Sequence, residues 1–511
     1  MEKWSSIYEK EKIFAALDKI SEYQKIGVLC EHVPTTLNRI NRVKYDNKVY
    51  DIESFIQNKG HQLLLSVTHQ CNLRCKYCCY GESIQREGRT HSNQTMSFDI
   101  AEKAISSFLG RSEFANAISF YGGEPLLNFP IVKHSILFAK NFASKLDKKP
   151  MFLMTTNGTL LTDEIIHYLV QHNVFVHISV DAVKESHDQF RVFKDTNVGS
   201  YDTVIRNIDR FIELYPTYRS RGIIITLTSP IQIEKVNEFL IKYSSHFDSI
   251  TIGEVFEKTK DSDVGVNISA ASDCSLHSCL KNFDGQCSDQ EPLNNTSDNT
   301  NSSHTPVMDR ESFSLKEEDW RNIFQEWHTF IQRVMADPIK AREEFPLIHR
   351  FLLKPFLEFH NRDLERYNLK SFSYACHCFP GFTRLYCNAL GDYYPCERVP
   401  EIPFYKLGNV IEGFDYKRSV EIMEAFRRTA DCGNCVIKNE CNFCPSLFDF
   451  SDSSRGNISK SAFEIKCKMK RFSTIDMIKE YTKIMEEQPE VFDNLMYLND
   501  LVDPRVFVVF D

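Results

Sequence analysis

Cysteine is the residue type that most constrains what this chain can fold into. The 511 residues include 17 cysteines, and all but Cys30 fall into three groups, within residues 71–79, 274–287 and 376–467. The first residues mix charges without an apolar core, and no run approaches the roughly 20 apolar residues that cross a bilayer, so we predict a cytoplasmic protein. Thiols stay reduced in that compartment, and the grouping therefore indicates metal ligation rather than a disulfide framework.

Composition and charge narrow the class of protein. Hydrophobic residues make up 42% of the chain, which supplies a globular core and excludes wholesale disorder. The 61 Lys and Arg residues stand against 70 Asp and Glu residues, for a net charge of −9. This field repels phosphate backbones and anionic lipids, so we predict neither nucleic acid nor a membrane as partner.

The spacing of apolar residues predicts an α/β fold. Between residues 63 and 256, six apolar runs alternate with amphipathic helical stretches, the pattern that builds parallel βα units. The predicted strands cover residues 63–70, 117–123, 152–158, 174–182, 223–229 and 250–256. Six units fit an open, partial (β/α)6 barrel better than a closed eightfold one.

The same pattern divides the chain into six segments. A stretch rich in Ser, Asn, Asp and Thr cannot bury enough apolar surface to order itself, and we predict that it is a flexible insertion. For the cysteines within this stretch, we favour unligated surface thiols over a role as metal ligands. The predicted segments are an N-terminal helical segment (1–62), the partial barrel (63–268), the insertion (269–313), a helical connector (314–375), a cysteine-rich domain (376–470) and a helical tail (471–511).

The first cysteine group follows the first predicted strand of the barrel. Cys71, Cys75 and Cys78 place three thiolates within eight residues, at the rim where barrel active sites lie. Three cysteines hold three corners of a 4Fe-4S cluster and leave the fourth iron open. Zinc is the alternative, but a structural zinc site closes with four ligands, and the adjacent Cys79 is poorly placed to be the fourth.

The C-x3-C-x2-C spacing resembles the signature of the radical S-adenosylmethionine (SAM) superfamily. Motifs at three further predicted strand ends strengthen the resemblance: Tyr121–Pro125, Thr155–Thr159 and Ser179–Asp181, with Arg191 shortly after. The resemblance implies SAM as cofactor, with contacts from Tyr77, Gly122, Gly123, Glu124, Asn157, Ser179, Asp181 and Arg191.

The resemblance also implies a role for individual residues of these motifs. Gly122 and Gly123 let the backbone approach the ligand closely. Glu124 meets the methionyl ammonium at a strand end rather than packing in a core, and Arg191 faces the SAM carboxylate. The alternative is a helix-capping Asp181 and a solvated Arg191. Ala182, where many relatives have glycine, is tolerated unless its φ must be positive.

The cysteines from 376 to 467 resemble the SPASM extension of radical SAM enzymes, which holds two auxiliary 4Fe-4S clusters. Nine cysteines are present for eight positions, and Cys387 in the strand-like run TRLYCNAL is the predicted spare, although Cys376 is an alternative. The implied ligands are Cys376, Cys378, Cys396 and Cys444 for one cluster and Cys432, Cys435, Cys441 and Cys467 for the other. Zinc ribbons are the alternative, but their cysteine pairs lie about 15–20 residues apart.

Among SPASM enzymes, the strand-end motifs resemble most the maturases of cysteine-rich ribosomal peptides, which form thioether crosslinks after reductive cleavage of SAM. The implied partners are a cysteine-rich precursor peptide and an electron donor such as flavodoxin or ferredoxin. Residues 1–62 are a candidate partial leader-binding element. One alternative is a sulfatase maturase that forms formylglycine, in which Glu397 would take the place of the base. The other is a binding scaffold that is stabilised by zinc and catalyses no reaction.

Overall fold

The computed structural model describes the parts of the chain that carry the predicted barrel and most of the helices. The described residues are 14, 42–45, 48–51, 61–78, 80, 90–111, 117–254, 314–360, 380–381, 384–429, 435–437, 441 and 460–499. The predicted insertion at 269–313 and four predicted cluster ligands, Cys376, Cys378, Cys432 and Cys444, lie outside the described residues.

All six predicted barrel strands are present, each within a few residues of its expected bounds. They are β3 (Gln62–Thr68), β5 (Ala117–Gly122), β6 (Met151–Thr156), β7 (Val174–Ser179), β9 (Arg221–Leu227) and β10 (Ser249–Glu254). The other strands are β1 (Arg42–Tyr45), β2 (Lys48–Asp51), β4 (Leu73–Cys75), β8 (Arg191–Phe193), β11 (Arg384–Cys387), β12 (Tyr393–Tyr394), β13 (Gly408–Asn409) and β14 (Gly413–Phe414).

The main sheet has eight strands in the order β10-β9-β7-β6-β5-β3-β11-β12. The six predicted strands pair in parallel, so their carboxyl ends meet at one edge. Strand β11 then pairs in parallel with β3, and β12 pairs antiparallel with β11. The cysteine-rich segment therefore extends the barrel sheet, and the predicted boundary at residue 376 does not separate it from the barrel.

The two faces of the sheet differ in polarity. Successive side chains of a strand point to opposite faces, so residues on one face recur at every second position. On one face Leu63, Ile118 and Val176 join a core cluster with apolar residues of the helices. The strand registers put polar side chains on the opposite face, among them Ser66, Ser119, Thr155, His177 and Thr226.

Helices connect the strands and follow them. They are α1 (Phe98–Arg111), α2 (Phe129–Ser144), α3 (Asp163–Gln171), α4 (Lys184–Phe190), α5 (Tyr201–Leu214), α6 (Ile233–Tyr243), α7 (Glu317–Ala336), α8 (Pro338–Glu344), α9 (Pro346–Phe351), α10 (Leu353–His360), α11 (Tyr416–Thr429), α12 (Lys460–Glu487) and α13 (Glu490–Asn499).

The helical tail differs from its prediction in two ways. Helix α12 begins at Lys460, inside the predicted cysteine-rich domain, so Cys467 lies on a helix rather than in a loop. The single predicted tail helix is broken in two, because Pro489 disfavours helical backbone at Gln488. Within the described residues, no helix is both long and apolar enough to cross a membrane.

Candidate functional site

The first cysteine group lies in the loop after β3, at the carboxyl edge of the sheet. The amide of Leu73 donates to Cys71 Sγ, and the amide of Tyr80 donates to Cys78 Sγ, each at 3.4 Å. Cys75 ends β4, which pairs antiparallel with β8 so that Cys75 stands opposite Arg191. The three thiols are half-buried, as ligands at the mouth of a cavity would be.

Gly122 and Gly123 seat this loop on the end of β5. The Gly123 amide donates to the carbonyl of Thr68, and the Glu124 amide donates to the carbonyl of Gln70, each at 2.8 Å. A Cβ at Gly122 would lie 2.2 Å from the Thr68 oxygen, and one at Gly123 would lie 2.1 Å from the Gln70 oxygen. The close approach that excludes a side chain here is to the protein's own backbone.

The Glu124 carboxylate joins the ends of β5 and β6 through hydrogen bonds. Its Oε1 accepts from the Leu126 amide at 3.0 Å and from Thr156 Oγ1 at 2.7 Å, while Oε2 accepts from the Asn157 amide at 2.7 Å. The side chain is fully buried, and burial raises the pKa of its carboxyl to about 7 against the lowering effect of these three bonds. The expectation that Glu124 does not pack in a core is therefore wrong.

Asn157 anchors the cysteine loop to the end of β6. Its Nδ2 donates to Asn72 Oδ1 at 2.9 Å and reaches Cys71 Sγ at 3.8 Å, while its Oδ1 accepts from the Thr159 hydroxyl at 2.7 Å. Asn72 Nδ2 donates in turn to Thr159 Oγ1 at 2.8 Å. The sequence motifs named Asn157 and passed over Asn72, whose only signal was its place beside Cys71.

Tyr77, Asp181 and Arg191 form one hydrogen-bonded group. Arg191 donates through Nε and Nη2 to the two carboxylate oxygens of Asp181, at 3.0 and 3.3 Å. Tyr77 donates its hydroxyl proton to Asp181 Oδ2 at 2.5 Å, and the Arg191 guanidinium lies 5.2 Å from the Tyr77 ring centre. Asp181 and Arg191 are only 2% and 7% exposed, so the alternative of a solvated Arg191 is wrong.

Asp181 caps no helix. Helix α4 takes Val183 as its N-cap without a side-chain hydrogen bond, and Asp181 Oδ1 accepts instead from the Thr226 amide of β9 at 3.0 Å. Burial raises the pKa of Asp181, but Arg191, His187 and Tyr77 together outweigh burial and hold the pKa below its usual range. Ala182 is absent from the described residues with positive φ, so alanine fits this turn.

His187 holds the backbone of this group, a role that the motif reading missed. Its Nδ1 accepts from the Asp181 amide at 3.2 Å, so its ring proton is on Nε2, which donates to Ser200 Oγ at 2.9 Å. Ser200 Oγ donates to the carbonyl of Arg191 at 2.9 Å. Burial lowers the pKa of His187 to about 3, so this histidine stays neutral and ties Asp181 to Arg191. Ser179 ends β7 and is half-buried.

Burial also raises the pKa of two of the three cysteine thiols, Cys71 and Cys75. Burial, with the charge of Glu124, raises the pKa of Cys71 to about 12. Burial raises the pKa of Cys75, although Arg191 opposes the shift through its charge and a hydrogen bond. Ligation needs thiolates, so metal binding at these residues must release protons.

The second cysteine field comprises the cysteines from 376 to 467, and four of its predicted ligands are among the described residues. Cys396 Sγ accepts from the Arg398 amide at 3.4 Å, the same geometry as at Cys71 and Cys78. Burial and the neighbouring Cys441 and Cys435 raise the pKa of Cys467 to about 11, with Arg471 opposing. Cys435 and Cys441 are thus near enough to Cys467 for their charges to act on its thiol, and all three belong to one predicted cluster set.

Cys387, the predicted spare, differs from these cysteines. It lies on β11, is fully buried, and its thiol donates to the carbonyl of Asn388 at 3.6 Å. Burial raises its pKa far above the usual range of a thiol. A buried, protonated thiol inside a strand packs as a small apolar side chain.

Glu397 is ion-paired inside the protein. Its Oε1 lies 2.8 Å from Arg384 Nη1, and both side chains are 8% exposed. Arg398 Nε is 3.9 Å from the same oxygen. A carboxylate committed to a buried guanidinium is poorly placed to take a proton from a substrate, so Glu397 is better explained as a structural partner of β11.

Comparison with protein families matches residues 65–240 to the Radical SAM superfamily. The matched stretch contains the three cysteines and each of the hydrogen-bonded strand ends described above. Within the described residues, no three His, Cys, Asp or Glu side chains are grouped as they would be around a single metal ion.

Two curated relatives match parts of the chain. It is 26% identical over 187 residues to the cysteine-type anaerobic sulfatase-maturating enzyme of Clostridium novyi, over 36% of this chain and 49% of that protein. It is 27% identical over 225 residues to the radical SAM cyclopropyl synthase TigE of Paramaledivibacter caminithermalis, over 42% and 43% of the two chains. The chain thus spans less than half the length of either relative.

A solved structure shows the same fold. Native anSMEcpe with bound AdoMet and Cp18Cys peptide has a TM-score of 0.52 at 17% identity, over 83% of this chain and 100% of that one. Residues 65–240 therefore form a radical SAM domain, built on the parallel α/β sheet whose carboxyl edge holds the three cysteines.

Proposed function

We propose that this chain is a radical SAM enzyme that reductively cleaves SAM and modifies a ribosomally made, cysteine-rich peptide, forming thioether crosslinks. The observation that carries the proposal is the cysteine loop. Two of its sulfurs accept backbone amides and the third stands opposite Arg191, all at the carboxyl edge of the radical SAM sheet.

The radical SAM family implies SAM and a 4Fe-4S cluster, and the residues present fit both. Cys71, Cys75 and Cys78 are the thiol donors that such a cluster requires, and two of them already accept the N–H···S bonds that tune cluster sulfurs. Half-buried Ser179 and the strand-end residues Glu124, Asn157, Asp181 and Arg191 would bind SAM. When bound, the two groups supply abstraction of hydrogen from an unactivated carbon, a task beyond side-chain acids and bases.

The chain's own residues position the reactants and exclude water. Glu124 and Asn157 hold the ends of β5 and β6 against the cysteine loop. His187 and Asp181 fix Arg191 in place. The cysteine loop, the end of β7 and the start of β8 are therefore held together as one unit. Such prior ordering is what keeps a reactive carbon at a short, constant distance from its partner.

The second field supports a peptide maturase of the SPASM type. Cys396 shares the amide-to-sulfur geometry of the first group, and the charges of Cys435 and Cys441 act on the thiol of Cys467. Two auxiliary 4Fe-4S clusters at this field are part of the proposal. One relative is a sulfatase-maturating enzyme, whose name indicates a protein substrate, and this supports a polypeptide substrate here, with an electron donor such as flavodoxin or ferredoxin.

Formylglycine formation is the second candidate, favoured by that same relative. It would need a base near the second field, and the residue predicted for that place, Glu397, is paired with Arg384. The buried ion pair is the reason that we rank this activity below thioether formation.

The mass of the product peptide distinguishes thioether formation from formylglycine formation. The protein, SAM, a reductant and a cysteine-rich peptide encoded beside its gene are incubated anaerobically. We expect the peptide to lose two hydrogens per crosslink, and the linked cysteine to resist iodoacetamide even after strong thiol treatment, which would reverse a disulfide.

The control is the triple variant Cys71→Ala, Cys75→Ala, Cys78→Ala, which should leave the peptide unchanged. Loss of sulfur from the peptide would instead show formylglycine formation. An unchanged peptide mass together with 5′-deoxyadenosine release would keep the radical SAM assignment and exclude the thioether activity.

A further inference from the structure

A chain of hydrogen bonds joins the first cysteine loop to the cysteine-rich segment. The hydroxyls of Tyr80 and Tyr386 are 2.7 Å apart, although the two residues are 306 positions apart in sequence. Tyr386 donates to Glu401 Oε1 at 3.0 Å, and Asn388 Nδ2 donates to Glu401 Oε2 at 2.7 Å. Tyr80, Tyr386 and Asn388 are buried and Glu401 is half-buried, so the tyrosine pair of this chain is shielded from water.

The direction of these bonds follows from counting protons. A tyrosine hydroxyl has one proton, and that of Tyr386 goes to the Glu401 carboxylate. Tyr80 must therefore donate to Tyr386. Each of the two hydroxyl bonds then has one direction, which orders the two tyrosines relative to Glu401.

The other end of Tyr80 touches a predicted cluster ligand. Its backbone amide donates to Cys78 Sγ at 3.4 Å. Its ring lies between the imidazoles of His69 and His91, with ring centres 5.8 and 6.2 Å away. The position of the amide thus depends on where the ring and hydroxyl are held.

Strand β11 brings Tyr386 to this place. Tyr386 pairs in register with Leu64 of β3, so the cysteine-rich segment delivers the hydroxyl through the same sheet that carries the cysteine loop. Hydrogen bonds to cluster sulfurs are among the factors that set the reduction potential of an iron–sulfur cluster.

We propose that Tyr386 and Glu401 are positioning residues, which hold the Tyr80 amide on the Cys78 sulfur and so set the reduction potential of the cluster at the first cysteine group. The inference rests on the proposed function only in requiring that Cys71, Cys75 and Cys78 hold that cluster. Under this proposal, the cluster has its normal reduction potential only when β11 pairs with β3, although the cluster ligands lie more than 300 residues before β11.

The test is the midpoint potential of the first cluster in Tyr386→Phe. Electron paramagnetic resonance follows the reduced signal that changes on addition of SAM, in protein of measured iron content. Loss of the hydroxyl should loosen the amide on Cys78 and destabilise the reduced, more negative cluster. We expect the reduced-to-oxidised ratio at a fixed solution potential to fall about two- to tenfold, and tenfold corresponds to 59 mV for a one-electron couple.

Two further variants and a control accompany it. Glu401→Gln keeps both tyrosines and weakens the acceptor, so it should lower the potential by a smaller amount, and it decides the matter if Tyr386→Phe does not fold. Tyr80→Phe should match Tyr386→Phe. The control is Tyr393→Phe, because Tyr393 is equally buried on neighbouring β12 but takes no part in this chain, and its potential should equal that of the unchanged protein.

The outcomes distinguish this inference from the proposed function. Equal potentials in Tyr386→Phe, Glu401→Gln, Tyr80→Phe and the unchanged protein, all with full iron content, would overturn the inference and leave the proposed function standing. A signal unresponsive to SAM, with no iron lost on replacing Cys71, Cys75 and Cys78, would overturn both.

Discussion

At the scale of single residues, the site depends on buried polar side chains that each serve several backbone segments. Glu124 bonds donors from the turn after β5 and from the end of β6. His187 links the backbone of Asp181 to that of Arg191 through Ser200. A change at one such residue therefore alters both local stability and ligand geometry.

Glu124→Gln should cost both stability and SAM affinity. The amide would turn an NH2 group toward one of three protein donors, which leaves a buried group unsatisfied at a cost of about 1–3 kcal/mol. The lost charge-assisted bond to SAM should weaken its binding about ten- to a hundredfold. Urea unfolding of the apoprotein measures the first effect and calorimetry measures the second.

The matched control is Glu102→Gln, at a partly exposed residue paired with His134. It should change neither quantity by a comparable amount. Unchanged unfolding and unchanged SAM affinity in Glu124→Gln would contradict both roles of this carboxylate.

His187→Gln should reduce the pH dependence of stability. In the folded protein burial lowers the pKa of His187 from 6.5 to about 3, so between these values the unfolded chain binds a proton that the folded chain does not. Stability from this group is therefore fully present above pH 6.5 and is lost as pH falls toward 3. Denaturant midpoints of the apoprotein between pH 7 and 4 should fall less steeply in the variant, and equal slopes would contradict this.

At the scale of elements, the end of β5 and the loop after β3 are in backbone contact, which leaves no room for a side chain at Gly122 or Gly123. Their hydrogen bonds hold the start of the cysteine loop on the sheet edge. The positions of the cysteines in space thus depend partly on β5, a strand that contains none of them.

Gly123→Ala should separate these two elements. The new Cβ would fall 2.1 Å from the Gln70 oxygen, so the loop must move and both the iron content and SAM binding should fall. Gly110→Ala is the control, because a Cβ there meets nothing within 4 Å and alanine stabilises a helix by about 0.5–1 kcal/mol relative to glycine. Normal iron loading in Gly123→Ala would show that the loop does not depend on this contact.

At the scale of the whole molecule, the two cysteine fields share one sheet. Strand β11 pairs with β3, and the Tyr80–Tyr386 bond crosses the same boundary. This pairing makes the sheet incomplete at β3 without the cysteine-rich segment.

Reconstituted protein should hold about twelve irons per chain, because three 4Fe-4S clusters are proposed. Replacing Cys71, Cys75 and Cys78 together by Ala should lower the content to about eight and abolish formation of 5′-deoxyadenosine under dithionite. A count near four, or stoichiometric zinc, would exclude the auxiliary clusters. Undiminished 5′-deoxyadenosine in the triple variant would contradict the first site.

The sequence by itself determined the six parallel strands, the helices between them and the strand-end motifs, because these follow from local periodicity and from short spacings along the chain. It also predicted that Cys387 packs as a buried residue, since a strand-like run signals burial. Each of these features depends on neighbours within a few residues.

Only the tertiary structure decided which distant groups meet. It joined β11 to β3, paired Arg191 with Asp181 and Tyr77, and buried Glu124 among three donors. It also placed the glycines of the β5 turn against the backbone of β3 and the loop that follows it. The physical reason is that hydrogen-bond partners and steric clashes between remote segments are set by sheet register and packing, and the local pattern of a sequence carries no record of either.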